Sequence, residues 1–233
     1  MNVIASFYLT NYHYPFWNYP EKPNAVKYTE AWRKSVEKLG LTSIVFVDEE
    51  NSELKQFENK KFQIGKVEGT ATNQIDTRWS IAHQFLLLNE HIEYFFMTDI
   101  SDVTILKNPF EMAEKGKIYV GDEKTTFGES DWIANRVRLI NSLSCRINSV
   151  AIASKPLLNC GIFGGHRNTI LPVLEEIASK IKTYGVKDDT VDIVAFNEVL
   201  HINYPEQIIC GSPINTEFWK WDFNNEECFF QHK

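Results

Sequence analysis

Short apolar runs alternate with longer amphipathic stretches along this 233-residue chain. Val3 to Tyr8 reads as a first strand and Thr42 to Val47 as a second, each a compact run rich in β-branched and aromatic residues. Between them, Ala25 to Leu39 sets Trp32, Val36 and Leu39 on one helical face, with Gly40 as its stop. A short strand is expected around Phe62 to Val67. A helix from about Asn73 to Asn89 follows, with Ile75, Trp79, Ala82 and Leu86 at helical spacings. Tyr94 to Met97 is an unbroken apolar run, which suits a central strand covered on both faces, because a one-sided strand would alternate. Lys117 to Val120 reads as a further short strand, Ser130 to Leu143 as a helix, and Leu157 to Phe163 as a strand running into Gly164-Gly165. Two helices, Thr169 to Tyr184 ended by Gly185 and Asp189 to His201, precede a turn-rich segment carrying Trp219, Trp221, Phe229 and Phe230. Strands separated by helices imply an α/β fold with a largely parallel central sheet and helices on both faces. No repeat or linker interrupts the pattern, so residues 1–233 are expected to form a single domain.

Composition narrows the class. Apolar content of 43% and charged content of 24% are those of an ordinary globular protein. A formal charge of −7 argues against a broad nucleic-acid footprint, which needs clustered Lys and Arg. Met1 to Thr10 holds neither a basic region nor a small-residue cleavage site, and no run approaches the ~20 apolar residues of a membrane span, so a cytoplasmic location is expected. Cys145, Cys160, Cys210 and Cys228 are widely spaced without a CxxC pair, which signals neither a zinc site nor a disulfide framework but buried thiols.

The chemistry concentrates in Glu93-Tyr-Phe-Phe-Met-Thr-Asp-Ile-Ser-Asp102, where the buried run delivers Asp99 and Asp102 to its end. In an α/β sheet the carboxyl ends of the strands are where ligands bind. Two carboxylates so close repel each other unless a hard cation such as Mg2+ or Mn2+ lies between them, so the pair reads as half of a metal site. The plainer alternative is a turn after a strand, with Asp99 accepting backbone N–H bonds and Asp102 solvated.

Four motifs occur in order: Thr98-Asp-Ile-Ser-Asp-Val103 with Asn108-Pro-Phe110, then Tyr119-Val-Gly-Asp-Glu123, then Asn159-Cys-Gly-Ile-Phe-Gly-Gly165, then Gln231-His-Lys233. Together they resemble the nucleotide-sugar-dependent glycosyltransferases of the GT-A (Rossmann-like) fold, over nearly the whole chain. In that family a DxD acid pair holds a divalent metal on the nucleotide diphosphate, and a late His often supplies a third ligand. The resemblance therefore implies Asp99, Asp102 and His232 as metal ligands, with Mn2+ or Mg2+ as cofactor. This chain departs from the pattern in having D-x-x-D, which leaves open which acid meets the metal directly.

Cleaving a sugar nucleotide builds negative charge on the departing diphosphate and positive charge on the anomeric carbon. A cation and an adjacent Lys or Arg stabilise the leaving group, which points to Lys233 and Arg78. Arg78 also fits an acid-x-Arg-aromatic pattern, Asp76-Thr-Arg-Trp79, that similar enzymes place near the nucleotide phosphates. A solvated or salt-bridged helix residue is the alternative. The resemblance further implies that Asn159, Gly161 and Gly164 line the donor-sugar pocket, that Phe7 and Tyr8 sit where a base or ribose stacks, and that Asp192 is the first candidate for a general base or sugar contact. Glycines after a strand can equally serve a tight turn, and strand aromatics a core. Glu123 ends a strand on the same edge and is a candidate for acceptor or sugar contact.

The expected activity is metal-dependent transfer of a sugar from a nucleoside-diphosphate sugar, UDP-sugar first, to a glycan, glycolipid or protein acceptor, with a nucleic-acid acceptor disfavoured by the charge. The resemblance implies acceptor specificity from variable loops, here Asn11 to Asn24 and Thr125 to Arg138, while the aromatics of Asn11 to Asn24 are read first as packing in an Ω-loop and only second as stacking on sugar or base rings. The competing classes are a metal-dependent hydrolase or nucleotidyltransferase and a noncatalytic carbohydrate-binding module presenting Trp219 and Trp221.

Overall fold

The computed structural model describes residues 1–10, 24–67, 74–186, 189–217 and 227–232. The aromatic-rich part of 11–24, Trp219, Trp221 and Lys233 lie outside the described residues. The chain opens with β1 (Asn2–Tyr8), α1 (Ala25–Lys38), β2 (Ser43–Val47), the single turn α2 (Ser52–Lys55), β3 (Phe62–Lys66), α3 (Gln74–Leu88) and β4 (Tyr94–Thr98). It continues through β5 (Val103–Ile105), β6 (Ile118–Thr126), α4 (Asp131–Leu139), α5 (Leu143–Ala151), β7 (Pro156–His166), α6 (Arg167–Tyr184), α7 (Asp192–Asn203), β8 (Ile208–Ile209) and β9 (Phe230–His232).

Seven strands form the central sheet in the order β3-β2-β1-β4-β7-β6-β8, while β5 and β9 make a separate two-stranded ribbon. Strands β3, β2, β1 and β4 run parallel, and β7 is antiparallel to both its neighbours, so the sheet is mixed but mostly parallel. Alternation along the strands divides the core in two. Val3 and Ala5, Phe95 and Met97, and Ile118 and Val120 face α3, α6 and α7. Ile4, Phe96 and Tyr119 face the opposite layer with Trp32 and Val36 of α1. Helices thus cover both faces, and the buried run at β4 is apolar throughout because both its faces are packed.

Local signals set most boundaries. Asn24 caps α1 through its side chain, and α6 ends at Gly185, whose φ of 65° is the left-handed conformation that glycine adopts without steric cost. Four expectations are corrected. The helix expected over Ser130 to Leu143 is two helices, because Ile140 leaves the helical region and the Ser142 hydroxyl caps a new one at the Cys145 N–H, 3.3 Å away. The short strand at Lys117 to Val120 runs on to Thr126. Gly164-Gly165 is not a turn but the interior of β7, since both residues pair with Phe96 and Phe95 of β4. The last helix begins at Asp192 rather than Asp189. Among the described residues no helix is long and apolar enough to cross a membrane.

Candidate metal centre

β4 ends at Thr98, and the chain reaches β5 in four residues, Asp99-Ile-Ser-Asp102. Ile100 is 4% exposed and plugs the α1-side core, so Asp99 and Asp102 project on either side of a buried anchor. This accounts for the D-x-x-D spacing: one residue of the connection is spent on packing and Ser101 is exposed. The Asp99 N–H donates to the Gly161 carbonyl at 2.9 Å, which continues the β4–β7 ladder into the loop.

His232 arrives from the other end of the chain. β9 pairs antiparallel with β5, and Val103 faces His232. Phe230 anchors this strand, fully buried with its ring centroid 5.8 Å from that of Phe96. Thr216 holds the His232 backbone, its hydroxyl accepting from the His232 N–H at 3.1 Å. His232 Nε2 lies 3.7 Å from Asp102 Oδ2. Ligand atoms of Asp99, Asp102 and His232 all lie within 4.8 Å of one another, the one such group of three among the described residues. The His232 side chain is 2% exposed, while those of Asp99 and Asp102 are 34% and 38% exposed, so the cluster has a closed imidazole side and an open carboxylate side.

Arg78 on α3 ties this cluster to α7. Its Nη1 donates to Asp99 Oδ1, and its Nη2 donates to Asp192 Oδ2 at 2.9 Å. Burial opposes the guanidinium charge, but Asp99 and Asp192 more than offset it and raise the Arg78 pKa further. Withdrawal from water lifts the Asp99 pKa above the usual carboxylate range despite Arg78 and His232, and Asp102 adds to the rise. Trp79 Nε1 also donates to Asp192 Oδ2, at 3.2 Å, and the Ile193 N–H donates to Oδ1. Asp76 accepts from the Val191 and Asp192 N–H groups at the start of α7. The Asp76-Thr-Arg-Trp79 stretch therefore fastens the α7 N-terminus and aims one guanidinium at Asp99.

The remaining candidates divide. Gly161 belongs to the centre: a Cβ there would fall 2.8 Å from His232 Nε2, so only glycine leaves the imidazole its place. Asn159 is 8% exposed, accepts from the Gly161 N–H at 2.7 Å and donates to Glu123 Oε1 at 2.9 Å. Gly164 is not brought to the site, because it lies mid-strand with the Phe96 ring filling its Cβ position. Phe7 and Tyr8 point to opposite faces. Phe7 stacks on Phe46 at 5.2 Å and packs against the core that contains α3, whereas Tyr8 is 5% exposed in the α1-side core, where burial, Glu53, Tyr28 and Asp48 push its pKa up to about 12. One ring system cannot stack on both. Asp192 is 2% exposed behind Arg78 rather than on the open side.

Two contributors carry little sequence signal. Thr216 is an ordinary polar residue in a turn-rich segment. Cys160 is buried behind the cluster, its thiol raised well above its ordinary pKa by burial and then by Asp192. All four cysteines are free; Cys145, Cys160 and Cys228 are buried and Cys210 half-buried. Glu123 is partly exposed, and burial raises its pKa against the Asn159 hydrogen bond and the His232 charge, with Asp122 assisting. Neither the profile of a known protein family nor a curated protein sequence matches this chain.

Proposed function

We propose that the chain is a metal-dependent transferase acting on a nucleoside-diphosphate derivative. More particularly, it is a glycosyltransferase that moves a sugar from a nucleoside-diphosphate sugar, UDP-sugar first, to a hydroxyl of a glycan, glycolipid or other acceptor. One observation carries this reading. Three donor groups from segments 130 residues apart in sequence, Asp99 and Asp102 against His232, converge beyond the carboxyl end of a central strand. The four motifs of the sequence support transfer from a sugar nucleotide, and the chain lacks the Gly-rich phosphate loop of a triphosphate-binding enzyme.

Two carboxylates and one imidazole fit a divalent cation, and the imidazole nitrogen favours Mn2+ over the all-oxygen preference of Mg2+. A cation held there supplies positive charge to the phosphates of the departing nucleoside diphosphate. The chain's own residues do the rest. Asp99 is oriented by Arg78 and its charge partly neutralised, so the paired acids coexist without unrelieved repulsion. His232 is held by its backbone pairing and by Thr216. Glu123 would take the acceptor's proton: it is partly exposed on the same edge, and its raised pKa makes it a stronger base than an ordinary surface carboxylate. Asp192 is committed to Arg78, Trp79 and the Ile193 N–H, and acts as a positioning residue.

Thermal denaturation against UDP-, GDP-, CMP- and dTDP-sugars, with Mn2+ and with EDTA, tests the reading, because a ligand that binds only the native state raises apparent stability. A shift confined to one nucleotide class and requiring Mn2+ is expected. No shift with any donor would contradict it.

A further inference from the structure

We propose that α5 docks this protein on an anionic lipid surface, through an apolar stripe that the fold turns outward and a cationic margin beside it. Helix α5 is inside out. At about 100° per residue, Leu143, Ile147 and Val150 fall on one face within a 60° arc. They are 74%, 60% and 78% exposed. The opposite face, with Cys145, Asn148 and Ser149, turns inward: Cys145 is fully buried, and Asn148 donates to the buried Glu198 on α7 at 3.3 Å. The polar side of the helix thus packs against the protein, and its apolar side is given to solvent. A helix stabilised only by its own core would be patterned the other way. The stripe spans about 10 Å along the axis. Just before it come Leu139 at 48% exposure and Trp132 at 43%.

Charge identifies the occupant. The stretch from the turn that packs on α4 and α5 to Lys155 contains Arg136, Arg138, Arg146 and Lys155 against two acids, Glu129 and Asp131, in a chain whose net charge is −7. Arg136 is taken up internally by Asp189 and by stacking on Trp132. Arg138, Arg146 and Lys155 are exposed, and none makes an ion pair among the described residues. An exposed apolar stripe edged by cations suits the headgroup boundary of an anionic leaflet. A two-fold contact with a second copy is disfavoured, because it would turn the same cationic margins toward each other with no acid on α5 to receive them.

Thr98 at the end of β4 pairs with Ile162, while Leu157, Leu158 and Asn159 continue beyond that point to pair with β6. The α4–α5 connection therefore leaves the sheet from the edge that carries Asp99 and Asp102.

Flotation of the purified protein with vesicles of phosphatidylcholine alone, and of phosphatidylcholine mixed with phosphatidylglycerol, tests it. Wild type should float with the anionic vesicles only, and added salt should release it. Ile147→Glu with Val150→Glu should abolish flotation with the thermal unfolding curve unchanged, since neither residue touches the core. Arg138→Ala and Arg146→Ala should each weaken partitioning about fivefold. Wild type that stays with the pellet beside anionic vesicles would overturn the proposal, as would a doubly acidic variant that floats normally. A wild-type dimer in sedimentation velocity that Ile147→Glu dissolves would also overturn it, by assigning the stripe to a second copy.

Discussion

His232 lies directly across an antiparallel ladder from Val103, the residue that follows Asp102. The pairing brings Asp102 and His232, 130 residues apart, into one neighbourhood, so the third candidate ligand is placed by backbone hydrogen bonding rather than by a flexible side chain reaching across a gap. It also makes the centre sensitive to whatever crowds the imidazole from the other side.

Gly161 is that neighbour. Gly161→Ala forces a methyl against the His232 ring, with the Asn159 side-chain oxygen beside it. The expected cost is about 1–3 kcal/mol of stability in urea denaturation, typical of overpacking, together with loss of the Mn2+-dependent part of the thermal shift. An alanine variant with wild-type Mn2+ response would show that the imidazole does not need its present position.

Arg78→Met removes the bridge between Asp99 and Asp192. Asp192 is 2% exposed, so the substitution leaves a buried carboxylate without its guanidinium. A loss of about 3–5 kcal/mol in chemical denaturation is expected, as for other broken buried ion pairs. Arg78→Met combined with Asp192→Asn should recover part of that loss, and the double-mutant cycle measures how much of it belongs to the pair.

Glu123 gives a pH signature. Burial keeps its proton on to a higher pH in the native state than in the unfolded chain. Between the unfolded and the raised native pKa the native state binds more protons, so stability falls as pH rises through that window, and the penalty is complete above it. Glu123→Gln should therefore be more stable than wild type at neutral pH, measured in EDTA, with the advantage shrinking toward the ordinary glutamate pKa of about 4.3. If Glu123 is the proposed base, the same variant should bind donor normally and turn over slowly, since it keeps the acceptor for Asn159 Nδ2 and loses the carboxylate.

The layered fold could be read along the chain because both periodicities were strong. The unbroken run at Tyr94 to Met97 and the Trp32–Val36 spacing are direct consequences of burial on two faces and on one. The acid pair was legible for the same reason: it ends the most apolar strand. What was missed had no period to show. β5, β8 and β9 are two or three residues long, too short to carry an alternation. Gly164-Gly165 carries turn chemistry by composition, yet Phe96 needs the space above Gly164, and tertiary packing decided the conformation. The break at Ile140 to Ser142 was masked because the flanking Leu139 and Leu143 kept a helical spacing across it, while the Asn141-Ser142 pair that marks it is a short polar signal, and Ile140 stays in the core. At Asp192, composition gave an acid at a helix start; only the convergence of Arg78, Trp79 and the Ile193 N–H reveals that both its oxygens are occupied.

The most direct test of the central claim is electron paramagnetic resonance of Mn2+ bound to the purified protein, read for coupling to nitrogen and phosphorus nuclei. Wild type should show a nitrogen coupling that His232→Ala removes, Asp102→Asn should weaken Mn2+ binding, and a nucleoside diphosphate should add a phosphorus coupling that needs the protein. Mn2+ that stays free in solution, or binds with the same spectrum in wild type and His232→Ala, would contradict the assignment of Asp99, Asp102 and His232 as a metal centre for a nucleotide donor.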